Sequence, residues 1–158
     1  MHRQISSLLL TVALFMVLAL PSFAQLQGKV VKIADGDTFT ILTSDNKQVK
    51  IRLHGIDCPE KAQPFGTKAK QFTSELVFGK TIKAQIKDTD RYNRVIAIVT
   101  VGNRTVNEEL LMSGFAWHYK KYDNSPWYAQ LEEAARAARF GLWEDHNPIP
   151  PWEWRKNK

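Results

Sequence analysis

Residues 26–60, LQGKVVKIADGDTFTILTSDNKQVKIRLHGIDCPE, decide the fold. β-branched runs fall at 30–33, 38–43 and 49–53, with turn residues between them at Asp35-Gly36 and Ser44-Asp45-Asn46. That pattern predicts a three-stranded meander. Downstream, a helix is expected with Thr67 as its N-cap, Ala69, Phe72, Leu76 and Val77 on its apolar face, and Gly79 as its stop. Two further strands fit TIKAQIK (81–87) and VIAIVTV (95–101), separated by the charged segment DTDRYNR (88–94).

TVNEELLMSG (105–114) carries a capping box, Thr105 with Glu108, and ends on glycine, which predicts a short second helix. Ser125-Pro126 supplies an N-cap and a proline at the first helical position, opening a third helix that should run to Gly141. No internal repeat is visible. The fold class expected is α+β and β-rich: a five-stranded OB-type Greek-key barrel with about three packed α-helices. The domain spans residues 25–146, followed by a Pro/Trp-rich basic tail at 147–158, NPIPPWEWRKNK, expected to be extended or loosely packed.

Upstream of the barrel, residues 1–24 read as an export signal. His2 and Arg3 make a basic start, residues 8–20 are an uncharged apolar run, and Pro21-Ser22-Phe23-Ala24 places small residues before a cut. The apolar run is shorter than the ~20 residues of a membrane-spanning helix. No stable membrane anchor is therefore expected once the signal is removed, and no cysteine follows the run to hold a lipid. The exported chain would begin at Gln25 and reach the periplasm or the medium. Cleavage removes Arg3 from the 22 basic residues and none of the 16 acids, leaving 21 against 16, a net charge of +5.

A basic exported domain attracts polyanions, although surplus lysine also serves solubility alone. The 44% hydrophobic and 11% aromatic content is enough for a packed core and excludes a disordered chain. One cysteine excludes an internal disulfide, so stability in an oxidising compartment must come from the core.

GIDCPE (55–60) poses the chemical question. A nucleophilic Cys58 would need a base, and His54 is the candidate, but no third group orients the pair. The acids make a better case. Asp35, Asp37, Asp57 and Glu60 fall at the ends of predicted strands, where a curled barrel can gather them. Each alone reads as ordinary turn chemistry. Together they would repel unless a cation or an arginine neutralised them, and hard oxygen ligands without His or Cys clusters favour Ca²⁺ or Mg²⁺, with a loop-supplied set favouring Ca²⁺. Arg52 and Arg94 add planar bidentate donors for phosphate oxygens.

ADGDT, IRLHGIDCPE, DRYNR and VNEELLMSGFAW, in that order and spacing, resemble the staphylococcal-nuclease-like (thermonuclease) family over about residues 27–145. The resemblance implies calcium-dependent cleavage of DNA and RNA at the 5′-oxygen bond, leaving 3′-phosphate ends. It implies that Asp37 and Asp57 bind Ca²⁺ with the backbone carbonyl of Cys58, and that Asp35 supports them. Glu60 resembles the general base. Arg52 and Arg94 match the arginines that clamp the phosphate, and Tyr92 and Tyr122 match positions near the nucleotide.

The sequence departs from the family pattern in two places. KAQPFG (61–66) is shorter than the basic loop of the best-known member, and Asn93 stands where glycine is usual, though asparagine tolerates left-handed backbone. Core packing competes with substrate contact at Trp117 and Tyr119, and His118 and His146 read as surface or structural residues. The expected substrate is DNA and RNA, preferably single-stranded, bound by a monomer. The rival readings are a catalytically silent OB-type nucleic-acid-binding module and an envelope interaction protein.

Overall fold

In the computed structural model, residues 25–157 are described; the export signal predicted over 1–24 lies outside them. The meander forms as β1 (Gln25–Asp35), β2 (Thr38–Leu42) and β3 (Gln48–Leu53). β5 (Thr81–Thr89) and β6 (Val95–Val101) complete a barrel, with β1 pairing both β2 and β5 in antiparallel register. Closure comes from β6, which pairs β5 antiparallel and β3 parallel, Ile51 opposite Val95 and Leu53 opposite Ala97. The result is a closed, mixed five-stranded barrel of the OB type. Register shifts in β1 and β5 supply local bulges, which sharpen strand curvature.

A period of two places the β-branched and aromatic positions inside. Val30, Phe39, Ile41, Ile51, Leu53, Ile82 and Val99 are all essentially inaccessible to solvent. Each large aliphatic or aromatic side chain so buried contributes roughly 1.5–3 kcal/mol. Helix α1 (Gly66–Val77) adds Ala69, Leu76 and Val77 to this core, and α2 (Val106–Met112) adds Val106, Leu110 and Leu111. Asn107 of α2 is also fully buried: its amide accepts from Val99 N at 3.0 Å and donates to His54 O at 2.9 Å. Those bonds tie α2 to β6 and to the end of β3.

The helix ends depart from expectation in instructive ways. The N-cap of α1 is Phe65, in left-handed backbone, and Thr67 lies inside the first turn. Position 66, the first helical residue, must be glycine because a Cβ there would land on the Glu60 carbonyl oxygen. Thr105 does cap α2, but its side chain makes no capping bond. It closes the short strand β7 (Arg104–Thr105), opposite Thr100, and so has extended backbone. The Ser125-Pro126 signal holds: Ser125 Oγ accepts from Tyr128 N at 3.3 Å, and α3 runs Pro126–Ala137. It ends before Gly141, which instead opens a 3₁₀ turn, Gly141–Glu144.

The largest correction is the tail. Pro150 and Pro151 start a fourth helix, α4 (Pro151–Trp154), which continues as a 3₁₀ turn over Arg155–Asn157. Pro151 is buried, and Trp152 packs edge-on to Trp117 at 5.6 Å between ring centroids. Gln63 Nε2 donates to Ile149 O at 2.6 Å. A second apolar cluster of Trp117, Ala135, Leu142 and Trp143 receives this segment. Three prolines read as extended chain in isolation, but tryptophans at 152 and 154 give the segment enough apolar surface to dock. A small sheet, β4 (Ile56–Asp57) with β8 (Trp117–His118), joins the acidic loop to this cluster. Among the described residues, no helix is long and apolar enough to cross a membrane.

Candidate active site

Antiparallel pairing brings the start of β2 beside the end of β3: Thr38 lies opposite Arg52, and Leu53 N donates to Asp37 O at 2.9 Å. The β1–β2 turn and the residues after β3 therefore share one end of the barrel. There the Arg52 guanidinium forks between two carboxylates. Nη1 pairs with Asp37 Oδ1, and Nη2 with Asp57 Oδ1 at 2.8 Å and Ile56 O at 3.4 Å. Asp37 and Asp57 are 3% and 1% exposed, so their charges depend on these partners. Asp37 also accepts from Cys58 N at 2.8 Å and from Thr38 Oγ1 at 3.1 Å, while Asp35 Oδ1 accepts from Asp37 N at 3.3 Å.

Glu60 stands at the rim of this group. The Gly66 backbone crowds its carbonyl from one side, and its amide donates to Gln63 Oε1 at 3.1 Å. Its carboxylate meets a residue that sequence reasoning missed. Arg155, from the tail, donates through Nη1 to Glu60 Oε1 at 2.8 Å and through Nη2 to Asp57 Oδ2 at 2.8 Å. Burial alone would lower the pKa of this guanidinium; hydrogen bonds and charge from Asp57 and Glu60 overcome that and raise it. The only sequence signal for Arg155 was its place in a basic tail, which carries no register.

Arg94 reaches the cleft on a turn built by Asp90, a second residue given no role from sequence. Asp90 Oδ1 accepts from Tyr92 N and Arg94 N, both at 2.9 Å, and Oδ2 accepts from Arg94 Nε at 2.7 Å. Burial opposes ionisation of Asp90, but the bonds from Arg94 and Tyr92 hold its carboxyl below the usual range. Asn93 adopts the left-handed backbone expected of it, φ 60°. Tyr92 is exposed, with the Arg94 guanidinium 5.5 Å from its ring centroid. Tyr122 is exposed too, edge-on to Tyr119 at 4.8 Å.

All nine residues singled out from sequence, Asp35, Asp37, Arg52, Asp57, Cys58, Glu60, Tyr92, Arg94 and Tyr122, line one cleft of about 1000 Å³. The Cys58 side chain is the exception in character. It is 4% exposed and faces Gly36, where a Cβ would come within 2.8 Å of its own Cβ. Burial pushes its thiol well above the usual pKa, only partly opposed by Arg52. His54 Nε2 lies 3.3 Å from Asp123 Oδ2, and Asp123 also meets buried His118 at 2.9 Å, so both histidines are committed to a structural carboxylate. We expect Cys58 to resist iodoacetamide in the folded protein at neutral pH and to react fully once denatured. Mass spectrometry of the alkylated chain checks this, and rapid labelling of native protein contradicts it.

Among the described residues, no group of three or more His, Cys, Asp or Glu side chains is arranged to hold a metal ion. The charged oxygens are instead shared between two guanidinium groups. Asp57 and Glu60 converge on the same cation, Arg155, and the donors are all hard carboxylate oxygens. That chemistry fits a hard divalent ion exchanging with Arg155, and it does not fit zinc.

The family model described as staphylococcal nuclease homologue matches residues 50–145, which includes Arg52, Asp57, Glu60 and Arg94. A protein of Haemophilus influenzae described as an uncharacterized endonuclease is 45% identical over 154 residues, covering 98% of this chain and 85% of its own length. The micrococcal nuclease of Shigella flexneri is 35% identical over 156 residues, covering 91% of this chain and 88% of that protein. An uncharacterized endonuclease of Escherichia coli is 38% identical over 136 residues, 85% of this chain and 88% of its own. With the closed barrel and the Arg52 fork at its end, these similarities establish that the chain belongs to the staphylococcal nuclease family.

Proposed function

We propose that this protein, a nuclease by its family, is an exported, calcium-dependent and sequence-nonspecific phosphodiesterase that cuts DNA and RNA, single strands in preference, and leaves 3′-phosphate ends. The observation that carries this reading is the Arg52 fork. One guanidinium holds two buried carboxylates side by side at the cleft floor, with Glu60 beside them and Arg94 on the opposing turn.

Asp37 and Asp57 would hold the ion, with Asp35 in support and the Cys58 carbonyl as a further donor. When bound, the ion would supply positive charge to the scissile phosphate and to the attacking water. Glu60 accepts the proton of that water as its oxygen bonds to phosphorus. The bond from phosphorus to the 5′-oxygen breaks, that oxygen leaves with the electron pair and takes a proton from solvent water to become a 5′-hydroxyl, and the phosphate stays on the 3′-oxygen. Arg52 and Arg94 donate to the phosphate oxygens on which charge grows. A guanidinium carries five N–H donors, so Arg52 can serve two acids and a phosphate together. Tyr92 and Tyr122, exposed at the mouth, offer ring faces to unpaired bases.

Arg155 and the ion would share the same oxygens. Arg155→Ala is therefore expected to tighten Ca²⁺ binding about tenfold, from the loss of charge-assisted bonds that the ion must displace. Calorimetric titration of the purified protein with Ca²⁺ alone reads this directly, and weaker binding in the variant would reverse the sign of the argument.

The test of the reading as a whole is cleavage of denatured DNA and RNA by the purified protein with Ca²⁺, Mg²⁺ or chelator, followed by analysis of the new ends. Calcium-dependent cutting with 3′-phosphates supports it. Binding without cutting in either metal moves the protein to the silent-module reading.

A further inference from the structure

Beside the cleft lies a second groove of about 410 Å³, and the two share Tyr119 and Lys121 in their linings. Its floor is aromatic. Tyr119 and Trp152 stack with 5.1 Å between centroids and 6° between planes, and Trp117 meets Trp152 edge-on. Its walls are basic: Lys120, Lys121, Arg136 and Lys156. The single acid in the groove, Glu132, is 5% exposed and already committed, accepting from His118 N at 3.0 Å and pairing Arg136 at 3.5 Å. Arg136 is likewise occupied, lying 3.8 Å from the Trp143 centroid. Among the described residues, Lys120, Lys121 and Lys156 form no ion pair, and the Lys121 ammonium lies 5.3 Å from the Tyr122 ring centroid.

The geometry points to a second substrate site: this groove binds the single-stranded nucleic acid that extends beyond the scissile phosphate. Stacked rings provide a sequence-indifferent platform for bases, and the lysines around them match a phosphate backbone in charge. The groove exists because the tail folds back, since Trp152 and Lys156 both come from it. Tyr119 and Lys121, which line both, are where a strand held at the Arg52 end would pass into the groove.

This inference rests on the nuclease reading, and its test separates the two. Fluorescence anisotropy is read on a labelled oligodeoxynucleotide of about twelve nucleotides, long enough to span both sites, in chelator so that cutting does not intervene. Replacing Lys120 and Lys156 together by alanine should lower the magnitude of the salt slope, log Kd against log salt, by about 1.4, since each single-strand phosphate contact contributes about 0.7. Trp152→Ala should weaken binding roughly tenfold through lost stacking. Because Trp152 also packs on Trp117, the exposed lysine pair is the variant that keeps the test independent of folding.

In parallel, the KM advantage of the long strand over a dinucleotide should shrink in the lysine variant. An unchanged slope and affinity in that variant overturns the groove, whatever the catalytic result. Failure of the parent protein to cut any substrate, with the slope change present, overturns the nuclease reading and leaves the groove standing.

Discussion

Glu60→Gln is expected to cut denatured DNA about 10²–10⁴-fold more slowly than the parent, the range a positioned general base contributes. Binding of the same strand should stay within a few-fold. The separation follows from where Glu60 sits. It is half-buried at the rim of the acid cluster, outside the hydrophobic core, so glutamine fits in the same space and can still accept from Arg155 Nη1. What is lost is an ionised oxygen able to take a proton from water. Single-turnover cleavage with the variant in excess over labelled DNA measures the chemical step, and anisotropy in chelator measures binding. Turnover equal to the parent would remove Glu60 from the chemistry; equal loss of binding and cutting would make it a substrate contact.

Arg52→Ala should have the largest combined effect, because the proposed mechanism adds a second job to the ion pairs this side chain makes. In the fold, its guanidinium neutralises Asp37 and Asp57, both almost fully buried. Removing one partner from a buried charged group leaves the other uncompensated, at a cost of roughly 3–5 kcal/mol. Arg155 would still meet Asp57, so the loss should fall mainly on Asp37. In the reaction, a removed oxyanion donor costs about 10²–10³ in rate. Urea unfolding followed by fluorescence gives the first quantity, and cleavage by the fraction still folded gives the second.

Arg52→Lys separates the two effects. A lysine keeps the charge near one carboxylate but cannot fork to both, so it should recover part of the stability and little of the rate. If lysine restored cutting fully, point charge would suffice and the bidentate argument would fail.

How far the site could be read beforehand depended on the range of the interactions that build it. The Asp35 to Asp37 turn, the Asp57 to Glu60 loop and the Arg94 turn each lie within a few residues. Their placement rests on local backbone chemistry, including the left-handed Asn93, and on motifs whose spacing is visible in a linear chain. The same holds for the β-branched alternation that predicted five barrel strands and for the Ser125-Pro126 helix start. By contrast, the capping bond expected at Thr105 failed because a strand pairing across β6 and β7 set its backbone first. Thr67 lost the N-cap of α1 to Phe65, as Gly66 packs against the Glu60 carbonyl.

The sequence by itself determined the strands, the barrel class and the candidate acids and arginines, because periodicity and turn chemistry act over short stretches; the pairings of β1 with β5 and of β3 with β6 came from the tertiary structure. Only the tertiary structure decided what the last residues do. Arg155 lies 98 positions from Asp57, and Trp152 reaches a second cluster built from β8, α3 and the 3₁₀ turn Gly141–Glu144. A proline-rich tail has no periodicity to announce such docking. Its conformation follows from apolar surface and charge that exist only after the barrel has closed and gathered Asp57, Glu60, Trp117 and Tyr119 at one end.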